Sequence, residues 1–277
     1  VSVYMTAIYL LDVYFTLQWV HVPTTIISIP GTVIGLLIAF RTNSAYQRWW
    51  EARIIWGAIV NDSRTFVRQL KTFLPANEKT TQLTRQMAMR QIAWNYTLSR
   101  NLRRQKTTRG LEKMLDHPEL KAIKQKNNVP LALLFLQGES IKYAFNARWI
   151  NSYQMTELDR TLTRLTDSMG KCERIKSTVF PSSYSYMIDI LIYLFILFLP
   201  FGLVDMIGII IIPTTLSIAF AFLTIERIAI YMQDPFENRI TDTPMTAIST
   251  TIEINIREEL DLGDIPKPLQ PVKGVLM

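Results

Sequence analysis

Between residues 26 and 53 the chain passes from an apolar run into a polar and aromatic block, IISIPGTVIGLLIAFRTNSAYQRWWEAR, with no turn signal between them. Residues 22–40 carry no charge over about 19 positions, close to the 20 or so that a bilayer's hydrocarbon core requires at roughly 1.5 Å per residue. The segment therefore predicts a transmembrane helix that continues unbroken into the aqueous phase. Within it Thr32, Leu36 and Phe40 fall at i, i+4 and i+8 and stack along one face. Gly31, Gly35 and Ala39 form a small-residue row about 100° away, which lets a neighbouring backbone approach closely. By spacing alone, the Thr32, Leu36 and Phe40 face reads equally as pore lining or as an ordinary lipid-facing anchor.

The 277 residues are 49% hydrophobic and yet 19% charged, so membrane and soluble portions must be segregated. Apolar segments occupy residues 1–20, 22–40, 184–204 and 206–225, and the stretch 41–180 between them is polar. That stretch holds 25 of the 30 Lys and Arg against 11 acidic residues, and no basic side chain precedes Arg41. Arg41, Arg48, Lys171, Arg174 and Lys176 lie close to the membrane ends, which puts the large domain and both termini in the cytosol by the positive-inside rule. The links around His21 and Asp205, free of Lys and Arg, are expected outside.

These segments predict an all-α membrane protein with four transmembrane helices. Its parts are residues 1–40 (helices 1 and 2), a helical cytosolic domain at 41–180, residues 181–232 (helices 3 and 4) and a cytosolic C-terminal segment at 233–277. Helices are expected at 41–74, 78–106, 111–126 around the His117-Pro118 interruption, 130–148 and 154–176. The run VPLALLFL at 129–136 is too short to span a bilayer and reads as a buried helix face. Thr243-Pro244 reads as a cap followed by a first-position proline, opening a helix whose stripe is Met245, Ile248, Ile252, Ile256 and Leu260. A tail with Pro266, Pro268 and Pro271 follows, expected to be extended and to lie along a neighbouring subunit. The single Cys172 excludes an internal disulfide and reads as a packed helix residue; with only His21 and His117 besides, no cluster has metal-ligand spacing.

FRTNSAYQRWWEAR at 40–53 resembles the signature of bacterial bestrophin homologues, its RWW at 48–50 being shared with animal members. Similar stretches follow in the same order: WGAIVNDSRTFVRQL at 56–70, GKCERI at 170–175, YLFILFLPFGLV at 193–204, DPF at 234–236 and TPMTAISTTIEINI at 243–256. The resemblance implies a homopentameric ion channel of the bacterial inner (plasma) membrane, with one axial pore, a narrow neck and a wider cytosolic chamber. By position Thr32, Leu36 and Phe40 match the neck residues, although the family generally has an apolar side chain where Thr32 stands. The family's cytosolic exit constriction falls on Tyr153, which without the resemblance reads as an ordinary aromatic of the cytosolic domain. Family members generally carry additional residues before the first span, so N-terminal residues are expected to be missing ahead of Val1.

The block Arg41, Asn43, Arg48, Trp49, Trp50 and Glu51 reads as structure at the neck base: Arg48 and Glu51 are i, i+3, and tryptophans favour the membrane interface. Arg41, one residue inside Phe40, either raises local anion concentration or is neutralised by an acid of a neighbouring subunit. Asp12, Asp189 and the Glu226-Arg227 pair lie in or beside the apolar segments and need partners, as intersubunit or interhelix contacts or else as pore or proton-relay groups. The basic run Arg100, Arg103, Arg104, Lys106 and Arg109 reads as a solvated helix end, without the aromatics of a nucleic-acid platform. Where animal members carry an acidic run that helps clasp calcium, this chain has Glu237-Asn238-Arg239-Ile240-Thr241-Asp242, so no calcium activation through this segment is expected.

The function implied is therefore a channel for monovalent ions, with itself and membrane lipids as partners and no nucleic acid, metal or cofactor. Neutral neck residues leave the choice between anions, associated with animal members, and cations open. A membrane scaffold or receptor with a partner-binding cytosolic domain is the alternative. A transporter is a weaker rival, since Pro30-Gly31 and Pro213 interrupt two spans but the halves of the chain do not resemble each other. No catalytic residues stand out: there is no phosphate loop or nucleophile and base pair.

Overall fold

One 50-residue helix, α2 (Thr24–Phe73), carries the whole apolar-to-polar transition, as the missing turn signal predicted. Pro30, seven residues in, does not interrupt it. The computed structural model describes residues 2–15, 23–178 and 180–271. Among them there are helices and turns but no strands. The chain divides into two units: residues 1–48 with 179–233, and residues 49–178 with 234–277.

The first unit contains α1 (Ser2–Phe15), the start of α2, α7 (Ser182–Ile207) and α8 (Ile211–Met232). Among the described residues three helices are long and apolar enough to cross a membrane: α2, α7 and α8. Helix α1 is described over 14 residues; the expected end of that span and the link around His21 lie outside the described residues. Met5, Ile34, Ile38, Ile188, Ile192, Ile196 and Ala219 form its core. Gly31 supplies close approach, because a Cβ there would meet the Phe195 ring at 3.0 Å, whereas nothing lies within 4 Å of one at Gly35. Of the expected small-residue row, then, the glycine against α7 is Gly31.

The expected turn at Asp205 is corrected. Helix α7 runs on to Ile207, and the break comes at Gly208, whose φ of 51° suits a residue without Cβ, followed by a 3-10 turn at Gly208–Ile210. Helix α8 accordingly starts later and ends later than the apolar segment 206–225. Pro213 stands in its first turn, where a missing N–H costs nothing, and is no mid-span interruption.

The second unit comprises the rest of α2, α3 (Glu78–Leu102), a 3-10 turn at Leu111–Lys113, α4 (His117–Lys124), α5 (Val129–Asn146), α6 (Ser152–Ser177) and α9 (Met245–Glu259). Helix α3 is its centre, packing on α5, α6 and α9, with Ala88, Ile92, Ala93, Trp94 and Leu98 fully buried. Asparagines start three helices: Asn77 and Asn151 form capping boxes with Thr80 and Gln154, and Asn128 accepts from the Leu131 N–H. The cap at Asn151 starts α6 two residues before the expected Gln154. Val129, Leu133 and Leu134 are buried, as the short apolar run predicted, and Cys172 is packed in the same core. The stripe of α9 joins it through Met245, Ile252 and Ile256, with Ile248 and Leu260 half-buried.

The Thr243 cap is also corrected. Pro244 occupies the cap position with ψ 63°, Met245 is the first helical residue, and the Thr243 hydroxyl makes no capping bond. The proline stands one place earlier relative to the helix than the motif assumes.

Candidate functional site

Two faces of α2 are distinguished by burial. Ile34, Ile38, Arg41 and Ala45 recur at spacings of four, three and four and are buried, which places them on the face packed within the first unit. Thr32, Leu36 and Phe40 lie on another face and are exposed, Leu36 at 56% and Phe40 at 60%. The Thr32 hydroxyl donates to the Ser28 carbonyl at 2.9 Å, a back-bond to the preceding turn. With its proton so engaged, this side chain shows outward a methyl group and oxygen lone pairs. The exposed row is thus poor in donors along its whole length.

Arg41 differs most from expectation. It is 2% exposed and pairs through Nη1 with Oε1 of Glu226 on α8 of the same chain, while its guanidinium lies 5.7 Å from the Phe180 ring centroid. The acid is intramolecular, so this charge is neutralised within the subunit. Glu226 thus finds the interhelix partner that a buried acid needs, whereas its neighbour Arg227 is exposed, adjacent helical residues pointing about 100° apart. The missed signal was the phase of Arg41, seven residues after Ile34 and three after Ile38. Asp189 is half-buried on α7, and the side chain of Asp12 lies outside the described residues.

Further along α2 the aromatic block makes hydrogen bonds and ring contacts. Arg48 Nε donates to the Gln233 carbonyl at 3.0 Å in the first unit. In the second unit Trp49 Nε1 donates to the Thr241 carbonyl at 2.6 Å, and Arg53 stacks on the Trp49 ring at 4.4 Å. Trp49 and Trp50 have ring centroids 6.1 Å apart. Glu51, read from sequence as spaced for Arg48, accepts from Arg174 of α6 at 2.6 Å in an exposed ion pair. Asn43 is exposed.

Tyr153, in the first turn of α6, is 83% exposed. Segment 234–242 folds around Lys176 from the end of α6, whose ammonium meets Asp234 Oδ2 at 2.7 Å and also Glu237 Oε1. The ammonium holds the Glu237 carboxyl below the usual carboxylate range. Asp242 Oδ2 accepts from the Arg239 N–H at 2.9 Å, and burial pushes its carboxyl up. The oxygen-rich segment therefore already holds a cation of its own. Among the described residues no group of three or more His, Cys, Asp or Glu is placed to hold a metal ion.

The basic run is less uniformly solvated than expected. Arg103 donates to the Thr246 hydroxyl at 2.6 Å and is half-buried, and Arg100 donates to the Arg109 carbonyl; both close the C-terminal end of α3, where cations favour the helix dipole.

A family model described as bacterial and fungal bestrophin proteins matches residues 1–258. A voltage-dependent anion channel-forming protein of Nostoc is 32% identical over 236 residues, covering 85% of this chain and 77% of its own length. One of Ralstonia nicotianae is 33% identical over 248 residues, covering 88% and 81%. The crystal structure of a bacterial bestrophin homologue from Klebsiella pneumoniae superimposes with a TM-score of 0.87 at 27% identity, covering 94% of this chain and 96% of that one.

Proposed function

The chain belongs to the bacterial and fungal bestrophin family, and on that premise we propose that five copies surround one axis and form a channel for monovalent anions in the bacterial inner membrane. The exposed apolar row on α2 carries this reading. Around a five-fold axis Thr32, Leu36 and Phe40 become three stacked rings, and the last two offer a hydrated ion no hydrogen bond, so the neck gates by dewetting. Four spans per subunit, with helices 1 and 2 before the cytosolic domain and 3 and 4 after it, leave both termini in the cytosol. Tyr153 lines the cytosolic exit, where its phenol O–H offers a donor.

The anion preference draws on the names of the relatives and on the local excess of basic residues between 41 and 180, which concentrates anions in a vestibule. It does not draw on Arg41, whose charge is cancelled inside the subunit. Reconstitution in planar bilayers under a KCl gradient tests it: the reversal potential should fall towards the chloride equilibrium value. A value near the potassium equilibrium refutes anion selectivity, and the absence of unitary currents favours the scaffold or receptor alternative. Leu36→Ala should enlarge unitary conductance or open probability several-fold; unchanged flux removes Leu36 from the neck.

A further inference from the structure

We propose that Arg41 is a positioning residue for the neck: clamped by Glu226 of α8 and the Phe180 ring ahead of α7, it fixes the rotation of α2 at Phe40 and so sets how often the pore opens. The inference rests on the channel reading above. Arg41 and Phe40 leave the same helix at the same level about 100° apart, one buried and the other exposed. Any rotation of α2 that moves the Phe40 ring must drag the guanidinium out of its seat.

That seat is built from two other segments. Glu226 is as buried as Arg41, and the Phe180 ring beneath the guanidinium packs against Tyr184 of α7 with centroids 5.1 Å apart. Asp189 and Arg227 lie within electrostatic range of Glu226. In so apolar a setting neither charge is tolerated alone, so the two ends hold each other in place. The contact is nevertheless single: Arg41 Nε and Glu226 Oε2 are buried without partners. A one-bond clamp is directional but short of the two-bond fork that a guanidinium and a carboxylate can form. Because its charge is cancelled, Arg41 acts on permeation through the position of Phe40.

Planar-bilayer recordings of the purified assembly, its mass checked by light scattering, compare the unmodified protein with Glu226→Gln, Arg41→Met and the charge swap Arg41→Glu with Glu226→Arg. The single variants should raise open probability at least threefold with unitary conductance and reversal potential unchanged, and the swap should return it towards the original value. Assembled variants with unaltered open probability overturn the proposal. So does a changed conductance or reversal potential, which would make the charge act on ions directly. Should the single variants fail to assemble, the double variant Arg41→Met with Glu226→Gln, which removes the clamp and leaves neither charge buried alone, decides by the same criteria. An unmodified protein without current refutes the channel reading, whereas a conducting one with unmoved variants refutes the clamp alone.

Discussion

Lys176 sits between Asp234 and Glu237 with only a tenth of its side chain exposed, and its charge is what lets two carboxylates share that space. Lys176→Met leaves the acids facing each other and should cost about 1–2 kcal/mol, read as a lower melting temperature at neutral pH. The pH dependence has a definite sign. Glu237 has a folded pKa below its unfolded value, so its contribution is present at neutral pH and is lost as the pH falls through and below the carboxylate range. Asp242 has the opposite sign, since burial raises its carboxyl and the folded state prefers the protonated form. Asp242→Asn keeps an acceptor for the Arg239 N–H and removes a buried charge. Melting curves should show it at least as stable as the unmodified protein at pH 7, with any advantage vanishing in acid; a marked loss at pH 7 would show that attraction to Arg103 outweighs burial.

At the scale of elements, capping and phase explain most of the architecture. Asn77→Ala and Asn151→Ala each remove one side of a capping box and should each lower stability by about 1 kcal/mol in denaturant titrations, with little change elsewhere. The continuity of α2 was legible because no Gly, Pro or Asn cluster separates Phe40 from Arg53. The stripe of α9 and the buried run at 129–136 were legible from helical spacing. The misses have local causes. Gly208 ends α7 through a positive φ inside a wholly apolar run, where hydropathy has no edge to show. Asn151 was passed over because its partner is Gln154, a less conspicuous box residue than Glu, and Thr243 was given a capping role that the next residue's backbone angles took away.

For the whole molecule, the proposed assembly predicts a particle of five 32.1 kDa chains, and light scattering of detergent-solubilised protein, corrected for bound detergent, should return that multiple. A monomer or dimer would remove the ring argument for Thr32, Leu36 and Phe40. What the sequence by itself determined was the division into apolar and polar segments, their helical character, the exposed row on the second span and the family, because hydropathy, side-chain period and motif order are properties of neighbours along the chain. Only the tertiary structure decided the pairings: Arg41 with Glu226, 185 residues apart, Glu51 with Arg174, and Lys176 with Asp234 and Glu237. A buried charge settles on whichever opposite charge the packing of helices brings into its low-dielectric surroundings, and that distance is set in space rather than along the chain.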